Sequence, residues 1–349
     1  MYADWNLGSK MEIPVVEVST KKITFLALFA AAAFAQTAPV TILEIDVENV
    51  VNYVDDVADP AKVATAPGIS PSTISRIFKW AVAVGDIAAI NGRPVKGLYT
   101  YRFGPGIMAT TTLTPGRNIA DMASGCPSEA QFAILYPDGT PIGSITASGF
   151  NAGTPPPGAP ATATSMTLAV VGGTGPFMGV RGQLSRASDV GTWTASMLED
   201  PACRRVNKGG TRGEIVQLIP MARPEVVVTS AGPAVLHADD FSPVTNGRPA
   251  QIGEHSIMSV TGLGPTKPVV EAGKPFSAFK EGSLHLVTSP VEVAVNGQAA
   301  EVVNSVGWPG MTGVYRVDFR VPQGTAAGQA SLQVTAAWIP GSEVKIPVR

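Results

Sequence analysis

The stretch VVGGTGPFMGVRG, residues 170–182, decides how this chain is interpreted, because a glycine turn after an apolar run occurs both in nucleotide-binding loops and in tight turns between β-strands. A dinucleotide-binding loop needs the spacing G-x-G-x-x-G and a following helix whose N-terminus faces the pyrophosphate. Here Gly173, Gly175 and Gly179 are spaced G-x-G-x-x-x-G, and residues 180–197 lack the 3.6-residue period of a helix. The stretch therefore predicts a strand-to-strand turn and argues against a nucleotide site.

The residues before this turn alternate as β-strands do. In TILEIDV (41–47), apolar and acidic residues take turns, which is the period of two expected of a strand with one solvent-facing side. The segments KGLYTYRF (96–103), QFAILY (131–136) and GSITASGF (143–150) continue the pattern, and PDGT (137–140) is typical of a tight turn. With 37 glycines, 30 prolines and only 15% charged residues in 349, the composition also predicts an all-β chain.

The turn closely resembles the Gly-Gly-Thr-Gly-x-Phe-x-x-Ala-Arg-Gly turn of the dirigent and allene oxide cyclase-like β-barrels. The matching residues are Gly172, Gly173, Thr174, Gly175, Phe177, Arg181 and Gly182, and Val180 replaces the usual alanine. The resemblance implies an eight-stranded antiparallel barrel that is filled by side chains or holds one small apolar ligand. In such a barrel, Phe177 would close one end and Arg181 would cap carbonyl groups or a carboxylate. Plant members of that family guide or catalyse the cyclisation and coupling of hydrophobic substrates, but the turn carries none of their catalytic acids and bases.

A second β domain is predicted to begin near residues 221–232. The segment PVEVAVNGQAAEVV (290–303) places Asn296-Gly297 between two alternating runs, which is typical of a hairpin with a type I′ turn. We expect an immunoglobulin-like β-sandwich. Residues 231–349 also resemble the uncharacterised C-terminal β domain of secreted acidobacterial proteins, whose recurrence suggests display, adhesion or sorting. The predicted parts are a signal peptide with an N-terminal extension (1–35), a β-barrel domain (36–220) and a sandwich domain (221–349).

The beginning of the chain indicates export. Lys21 and Lys22 precede the apolar run ITFLALFAAAAFA (23–35), which ends in the small-x-small pattern Ala33-Phe34-Ala35 of a signal-peptide cleavage site. The run is shorter than the about 20 apolar residues that span a bilayer, so we expect cleavage after Ala35, no membrane span in the mature chain, and a secreted or cell-surface protein. In an oxidising compartment, Cys126 and Cys203 form either a disulfide or two separate buried thiols.

Candidate site residues in the barrel are aromatic. Tyr99 and Tyr101 share one strand face, and Phe132 and Tyr136 share a face of another strand, so together they line a small-molecule pocket or belong to an ordinary barrel core. No histidine lies in residues 36–220, so acid–base chemistry there would depend on carboxylates, tyrosines or arginines. The histidines of the second domain do not have the spacing of metal ligands, and we predict neither a metal nor a cofactor.

Two functions remain open at this point. The first is a binding or structural protein whose barrel holds a small apolar ligand and whose C-terminal domain meets an extracellular or cell-surface partner; this is the one we favour. The second is an enzyme that cyclises or isomerises a hydrophobic molecule in the barrel. A pocket of at least about 300 Å³ that contains a buried carboxylate or tyrosine with a strongly shifted pKa would favour the enzyme, whereas a barrel filled by side chains would favour the structural role. A net charge of −2 without a basic patch argues against a nucleic-acid partner, and the barrel resemblance implies that the chain forms homo-oligomers.

Overall fold

The computed structural model describes residues 40–54, 77–78, 81–104, 106–107, 125–152, 167–191, 193–271, 273–277 and 284–349. These residues all belong to one compact unit, Val40–Arg349. Their secondary structure is almost entirely β, which confirms the predicted fold class. No helix in these ranges is long and apolar enough to cross a bilayer. The predicted signal peptide lies outside the described residues.

Eight antiparallel strands form a closed barrel, as predicted. Each strand pairs with the next along the chain, and the eighth pairs with the first, so the barrel has up-and-down topology. The strands are β1 (Thr41–Val54), β2 (Ala81–Ile90), β3 (Lys96–Phe103), β4 (Gly125–Leu135), β5 (Pro141–Ala152), β6 (Thr167–Thr174), β7 (Arg181–Val190) and β8 (Gly210–Ile219).

Alternation along the strands separates the barrel core from its outer surface. On β1, Leu43, Ile45 and Val47 are buried, whereas the acidic residues between them are exposed. A bulge after Val47 contains Asn49 with φ of 54°, and it brings Val50 into the core beyond the bulge. Val51 and Tyr53 then lie in a second small cluster outside the barrel, together with Ala195.

Short elements complete the first part of the chain. Trp193–Ser196 pairs in parallel with the end of β1, and Cys203–Val206 forms one helical turn. Three two-residue strands also occur: Ile77–Phe78, which pairs with Gly106–Ile107, and Arg93–Pro94, which pairs with the end of β2.

The glycine turn joins β6 to β7 through the 3₁₀ turn Gly175–Phe177. Gly175 has φ of 65°, a conformation that glycine adopts without a Cβ penalty. Phe177 is fully buried in the barrel core. Arg181 Nη1 donates hydrogen bonds to the carbonyl oxygens of Val171 at 2.7 Å and Val180 at 3.0 Å. The turn therefore closes one end of the barrel with an aromatic ring and satisfies two backbone carbonyls.

Two further sheets follow the barrel and share one apolar core. The Asn296-Gly297 hairpin is confirmed, with φ of 48° and 74° at the two turn residues. The immunoglobulin-like assignment and the domain boundary at residue 221 remain predictions. The strands of the first sheet are Glu225–Val226, Val235–His237, His255–Thr261, Thr266–Lys267, Leu286–Val287, Val302–Gly307 and Val314–Arg320. The strands of the second sheet are Val291–Val295, Gln298–Ala300, Gly328–Ala336, Ile339–Pro340 and Val344–Val348. Val228–Thr229 pairs separately with Gly232–Pro233.

The second part of the chain contributes to the barrel core. Ala337 and Ile339 are buried in the same cluster as the barrel residues, and Trp338 packs against that cluster. Arg93, beside β2, forms an ion pair with Glu292 of the second part. The two parts are therefore joined by a shared core.

The two cysteines are free in the structure, so the predicted disulfide is not formed. Cys126 is buried near the start of β4, and its Sγ lies 3.7 Å from the hydroxyl of Ser128. Cys203 is partly buried in the short helical turn. The alternative of two separate thiols therefore holds, although only Cys126 is fully buried.

Candidate functional site

Strand β8 projects two charged side chains into the barrel. Its buried residues alternate along the strand, so Arg212 and Glu214 face inward together with Val216 and Leu218. Glu214 lies opposite Arg186 of β7 in the strand register, and Arg212 lies opposite Asp189 of the same strand. Charged residues at such buried positions need partners, because an unpaired charge in an apolar interior is strongly unfavourable.

Glu214 is the centre of this cluster. Its side chain has no exposed surface. Its Oε1 accepts a hydrogen bond from the Tyr99 hydroxyl at 2.8 Å and from Nε and Nη2 of Arg186, each at 3.1 Å. Arg186 Nη2 also donates to the Tyr99 hydroxyl oxygen at 3.1 Å, so three residues from three strands form a closed triangle.

Arg212 forms the second half of the cluster, nearer the rim. Its Nε donates to Asp189 Oδ2 at 3.0 Å, and its Nη2 donates to Asn52 Oδ1 on β1 at 3.2 Å. Asp189 Oδ2 also accepts from Arg186 Nη1 at 3.3 Å. Asp189 therefore links the two arginines, and four strands contribute to one polar cluster that extends from the barrel interior to the rim, where Asp189 is exposed. We call Asn52, Tyr99, Arg186, Asp189, Arg212 and Glu214 the interior polar cluster.

Two buried atoms of the interior polar cluster have no hydrogen-bond partner in the described part of the chain. They are Oε2 of Glu214 and Nη1 of Arg212. Both side chains are almost completely buried, with 0% and 3% exposed. Since buried polar atoms are nearly always satisfied in folded proteins, an unsatisfied acceptor and an unsatisfied donor two residues apart on one strand face call for a functional explanation.

Burial controls the electrostatics of the interior polar cluster. It raises the pKa of the Glu214 carboxyl above its ordinary value, and the Arg186 guanidinium and the Tyr99 hydroxyl oppose that rise. Burial and the nearby Glu214 charge raise the pKa of the Tyr99 hydroxyl. Burial alone would lower the pKa of the Arg186 guanidinium, but Glu214 raises it overall, so Arg186 stays charged. Among Glu214, Tyr99 and Arg186, only the pKa of Glu214 is therefore shifted toward neutral pH.

Small side chains surround Tyr101 at the same level of the barrel. Tyr101 pairs in register with Ala83 on β2 and Ala130 on β4, and Ala130 pairs with Ala147 on β5. All three alanines are fully buried and belong to the barrel core. The Arg186 guanidinium lies 5.2 Å from the Tyr101 ring centroid. The interior polar cluster thus borders a layer that contains one large side chain, Tyr101, and three small ones.

The structure brings three of the four predicted aromatic residues together. Tyr99, Tyr101 and Phe132 all face the barrel interior, and the rings of Tyr99 and Phe132 lie 5.3 Å apart. Tyr136 lies just beyond the end of β4, where it packs against the core from the edge. Burial, followed by the charge of Asp138, raises the pKa of Tyr136 to about 12.

The charged members of the interior polar cluster were not identified from the sequence. The alternation in GTRGEIVQLI could have indicated Arg212 and Glu214, because they lie on the same strand face as the apolar residues Val216 and Leu218. Asp189 offers no such signal. A bulge between Arg186 and Ser188 shifts the register and places Asp189 opposite Arg212, and a bulge of this kind is not evident in the alternation of RGQLSRASDV.

The three histidines lie in the second part of the chain. The ring nitrogens of His237 contact Glu254 and the Arg248 carbonyl oxygen, and this residue is buried beside a cleft of about 470 Å³ that His255 also lines. His285 Nδ1 lies 2.8 Å from the Pro268 carbonyl oxygen. In the ranges that the structure covers, no group of three or more histidine, cysteine or acidic residues is arranged to hold a metal ion.

Comparisons with known proteins give a limited result. No family model matches the sequence, and no curated protein is similar to it. Among solved structures, one described as pyocyanin demethylase is similar, with 16% sequence identity over 52% of this chain and 99% of that chain, and a TM-score of 0.24. At that level of similarity we take neither a function nor a site from it, and the dirigent-like and acidobacterial resemblances remain expectations from the sequence.

Proposed function

We propose that the barrel binds one small, largely apolar molecule whose polar group meets the interior polar cluster. The observation that carries this proposal is the pair of buried, unsatisfied atoms, Glu214 Oε2 and Arg212 Nη1. A buried polar atom without a partner costs about 1–3 kcal/mol, and more when it is charged. A ligand group that bonds to these atoms would offset that penalty.

The surroundings of the interior polar cluster support this proposal. Small-molecule sites are lined mainly by apolar and aromatic side chains with a few convergent polar groups. Here Tyr99, Tyr101 and Phe132 provide the aromatic surface, and Ala83, Ala130 and Ala147 occupy little of the interior. The network of hydrogen bonds from four strands holds the polar groups in place before a ligand arrives, which lowers the entropic cost of binding.

Native mass spectrometry of the protein purified from its producing cells, followed by denaturing extraction, tests the proposal. We expect a stoichiometric small molecule, or its uptake when the apo protein is exposed to a hydrophobic metabolite extract. Ala130→Leu adds volume inside the barrel and should abolish uptake, whereas Ala133→Leu adds the same volume on the exposed face of β4 and should not. Uptake that Ala130→Leu leaves unchanged, in a folded variant, would contradict binding in the barrel.

A second candidate function, a proton-transferring isomerase or cyclase, is favoured by Glu214 itself. Oε1 is occupied by Tyr99 and Arg186, so Oε2 is the oxygen available to a substrate. A carboxyl whose pKa is raised by burial is suited to take a proton from carbon and return it elsewhere on the same molecule. Arg212 Nη1 would then stabilise the enolate oxygen formed between the two transfers.

Deuterium exchange distinguishes this enzyme from a binding protein. We use 2-tetralone, an aromatic ketone with acidic α-hydrogens, in deuterated buffer and follow the loss of the α-proton signals by NMR. Exchange above the buffer rate that Glu214→Gln removes would support proton transfer. Exchange that is equal with and without the wild-type protein, under conditions where 2-tetralone binds, would leave only the binding function.

Export and a surface role belong to the same proposal. The support for export is the dibasic pair Lys21-Lys22 followed by the apolar run at 23–35. N-terminal sequencing of the protein from the culture medium or cell envelope should find Gln36 as the first residue. A protein recovered only from the cytoplasm with residues 23–35 intact would contradict this part of the proposal.

A further inference from the structure

The two unsatisfied atoms of the interior polar cluster differ in what they require. Arginine has five N–H donors, no acceptor, and keeps its charge in proteins, so Arg212 Nη1 always needs an acceptor. Its other nitrogens already donate to Asp189 and Asn52. Glu214 Oε2 accepts when the carboxylate is ionised and donates when it carries a proton. A ligand oxygen placed between Arg212 Nη1 and Glu214 Oε2 can therefore accept a hydrogen bond from the arginine whether or not Glu214 is protonated.

The balance of charge in the interior polar cluster favours an anion when Glu214 is protonated. Two guanidinium groups, Arg186 and Arg212, face two carboxyl groups, Asp189 and Glu214. If Glu214 carries a proton, these four groups together have one positive charge in excess. A ligand oxyanion restores neutrality and bonds to both unsatisfied atoms, accepting from Arg212 Nη1 and from the protonated Oε2.

Resting on the proposed binding function, we infer that the ligand is an aromatic organic anion whose carboxylate, phenolate or enolate oxygen accepts a hydrogen bond from Arg212 Nη1. Its ring would lie among Tyr99, Tyr101 and Phe132, which are buried on neighbouring strands. A neutral alcohol of the same shape can also accept from the guanidinium, but it lacks the Coulombic attraction between an anion and the arginine, which is strong in an interior of low dielectric constant.

Binding of the anion is coupled to protonation of Glu214. The groups that face Glu214 are Tyr99 from β3, Arg186 from β7 and, on its own strand, Arg212, while Asp189 and Asn52 lie one contact further away. A new negative charge beside Glu214 disfavours its ionised form. Above the pH at which Glu214 ionises in the free protein, the anion therefore takes up a proton from solution as it binds.

Matched naphthalene probes test the ligand class. We compare 2-naphthoate with 2-naphthylmethanol by isothermal titration calorimetry, and expect the anion to bind at least about 10-fold more tightly. Arg212→Met should lower the affinity for 2-naphthoate by at least about 10-fold and change that for 2-naphthylmethanol by less than about 3-fold. Arg102→Met, which removes an arginine paired with Glu129 on the outer surface, is the control and should change neither affinity.

The proton uptake is measured by titrating 2-naphthoate in two buffers with different ionisation enthalpies. Wild-type protein should take up a proton, and Glu214→Gln should bind 2-naphthoate without proton uptake, which keeps the test decisive if Arg212→Met does not fold. Equal affinity for the two probes, or an anion preference that a folded Arg212→Met retains, would overturn this inference while leaving the proposed binding function intact. Failure of both probes to bind a folded protein that does take up a molecule from the metabolite extract would overturn this inference alone, whereas failure of the probes and of that uptake would overturn both.

Discussion

At the scale of single residues, the most informative position is Glu214. Its carboxyl group lies in the barrel core with one oxygen held by Tyr99 and Arg186 and the other without a partner. Replacing a buried ion pair by apolar residues often leaves stability unchanged or improves it. The stability of the fold therefore does not explain why Glu214 is present, and this is one reason for its proposed role in ligand binding.

Glu214→Gln should change how stability depends on pH. Burial raises the pKa of Glu214 in the folded chain above its ordinary value of 4.5, so between those two values the folded chain binds more protons than the unfolded chain. Its free energy of unfolding therefore falls as pH rises through this window. Glutamine does not titrate, so the variant should lack that fall, and urea unfolding from about pH 4 to pH 8 measures the difference.

The control for this experiment is Glu129→Gln on the outer face of β4, where the carboxylate pairs with Arg102 at the surface. Because Glu214 is intact in this variant, its free energy of unfolding should still fall as pH rises through the same window. If Glu214→Gln also runs parallel to wild type, the carboxyl is not held in its neutral form by burial.

Tyr99→Phe should destabilise the barrel by about 1–3 kcal/mol, because it removes the hydroxyl that donates to Glu214 and accepts from Arg186 and leaves both buried groups with one partner fewer. Tyr136→Phe is the matched control, since the structure shows no hydrogen bond of the Tyr136 hydroxyl in the described ranges. Chemical denaturation of both variants measures the difference, and equal losses would show that the hydroxyl of Tyr99 contributes nothing specific.

At the scale of elements, the turn between β6 and β7 shows how adjacent glycines serve different purposes. A Cβ on Gly173 would lie 2.4 Å from the Ser144 carbonyl oxygen and 2.7 Å from Phe177 Cβ. A Cβ on Gly172 would have only Arg181 Nη1 nearby, at 3.9 Å. Gly173 is thus required by the close packing of β5 against the turn, whereas Gly172 is not.

Gly173→Ala should therefore destabilise the protein by about 1–3 kcal/mol, because the added methyl group displaces backbone and the buried Phe177. Gly172→Ala should change the free energy of unfolding by no more than about 0.5 kcal/mol. Denaturant unfolding of the two single variants makes the comparison. A tolerated Gly173→Ala would mean that the turn moves away from β5 at little cost.

The pairing register of the strands was the feature that was hardest to predict from the sequence. The alternation was clear enough to predict strands within β1, β3 and β5 and to assign the apolar face of β1. Bulges at Asn49 and between Arg186 and Ser188 change the parity part-way along β1 and β7. Because a shift of one residue reverses the face of every later side chain, Asn52 and Asp189 were not predictable as interior residues.

At the scale of the whole molecule, the barrel and the following sheets depend on each other. Ala337, Trp338 and Ile339 come from the second part of the chain, yet they pack in the core of the barrel. All described residues from Val40 onward form one compact unit. The second part is therefore part of the barrel's structure, in addition to any surface role.

Ile339→Ala should destabilise the barrel itself, with a loss of about 2–5 kcal/mol from the cavity it leaves. Hydrogen exchange should show faster opening in the barrel strands as well as in the sheets after residue 220. Ile252→Ala, at a position that is 37% exposed, should have a much smaller effect. Faster exchange that stays confined to residues after 220 would show that the two parts unfold independently.

The sequence by itself determined the all-β class, the glycine turn and the Asn296-Gly297 hairpin, because alternation and positive-φ turn residues are local properties. The barrel was implied only by the resemblance of that turn to a known family. It also identified Tyr99, Tyr101 and Phe132 as candidates, although it could not separate a pocket from a core. Only the tertiary structure decided that Arg186, Asp189, Arg212 and Glu214 meet inside the barrel and that Ile339 helps to cover it. Those contacts join residues far apart in the chain. They depend on closure of the barrel and on β-bulges that cannot be recognised from the alternation of apolar and polar residues.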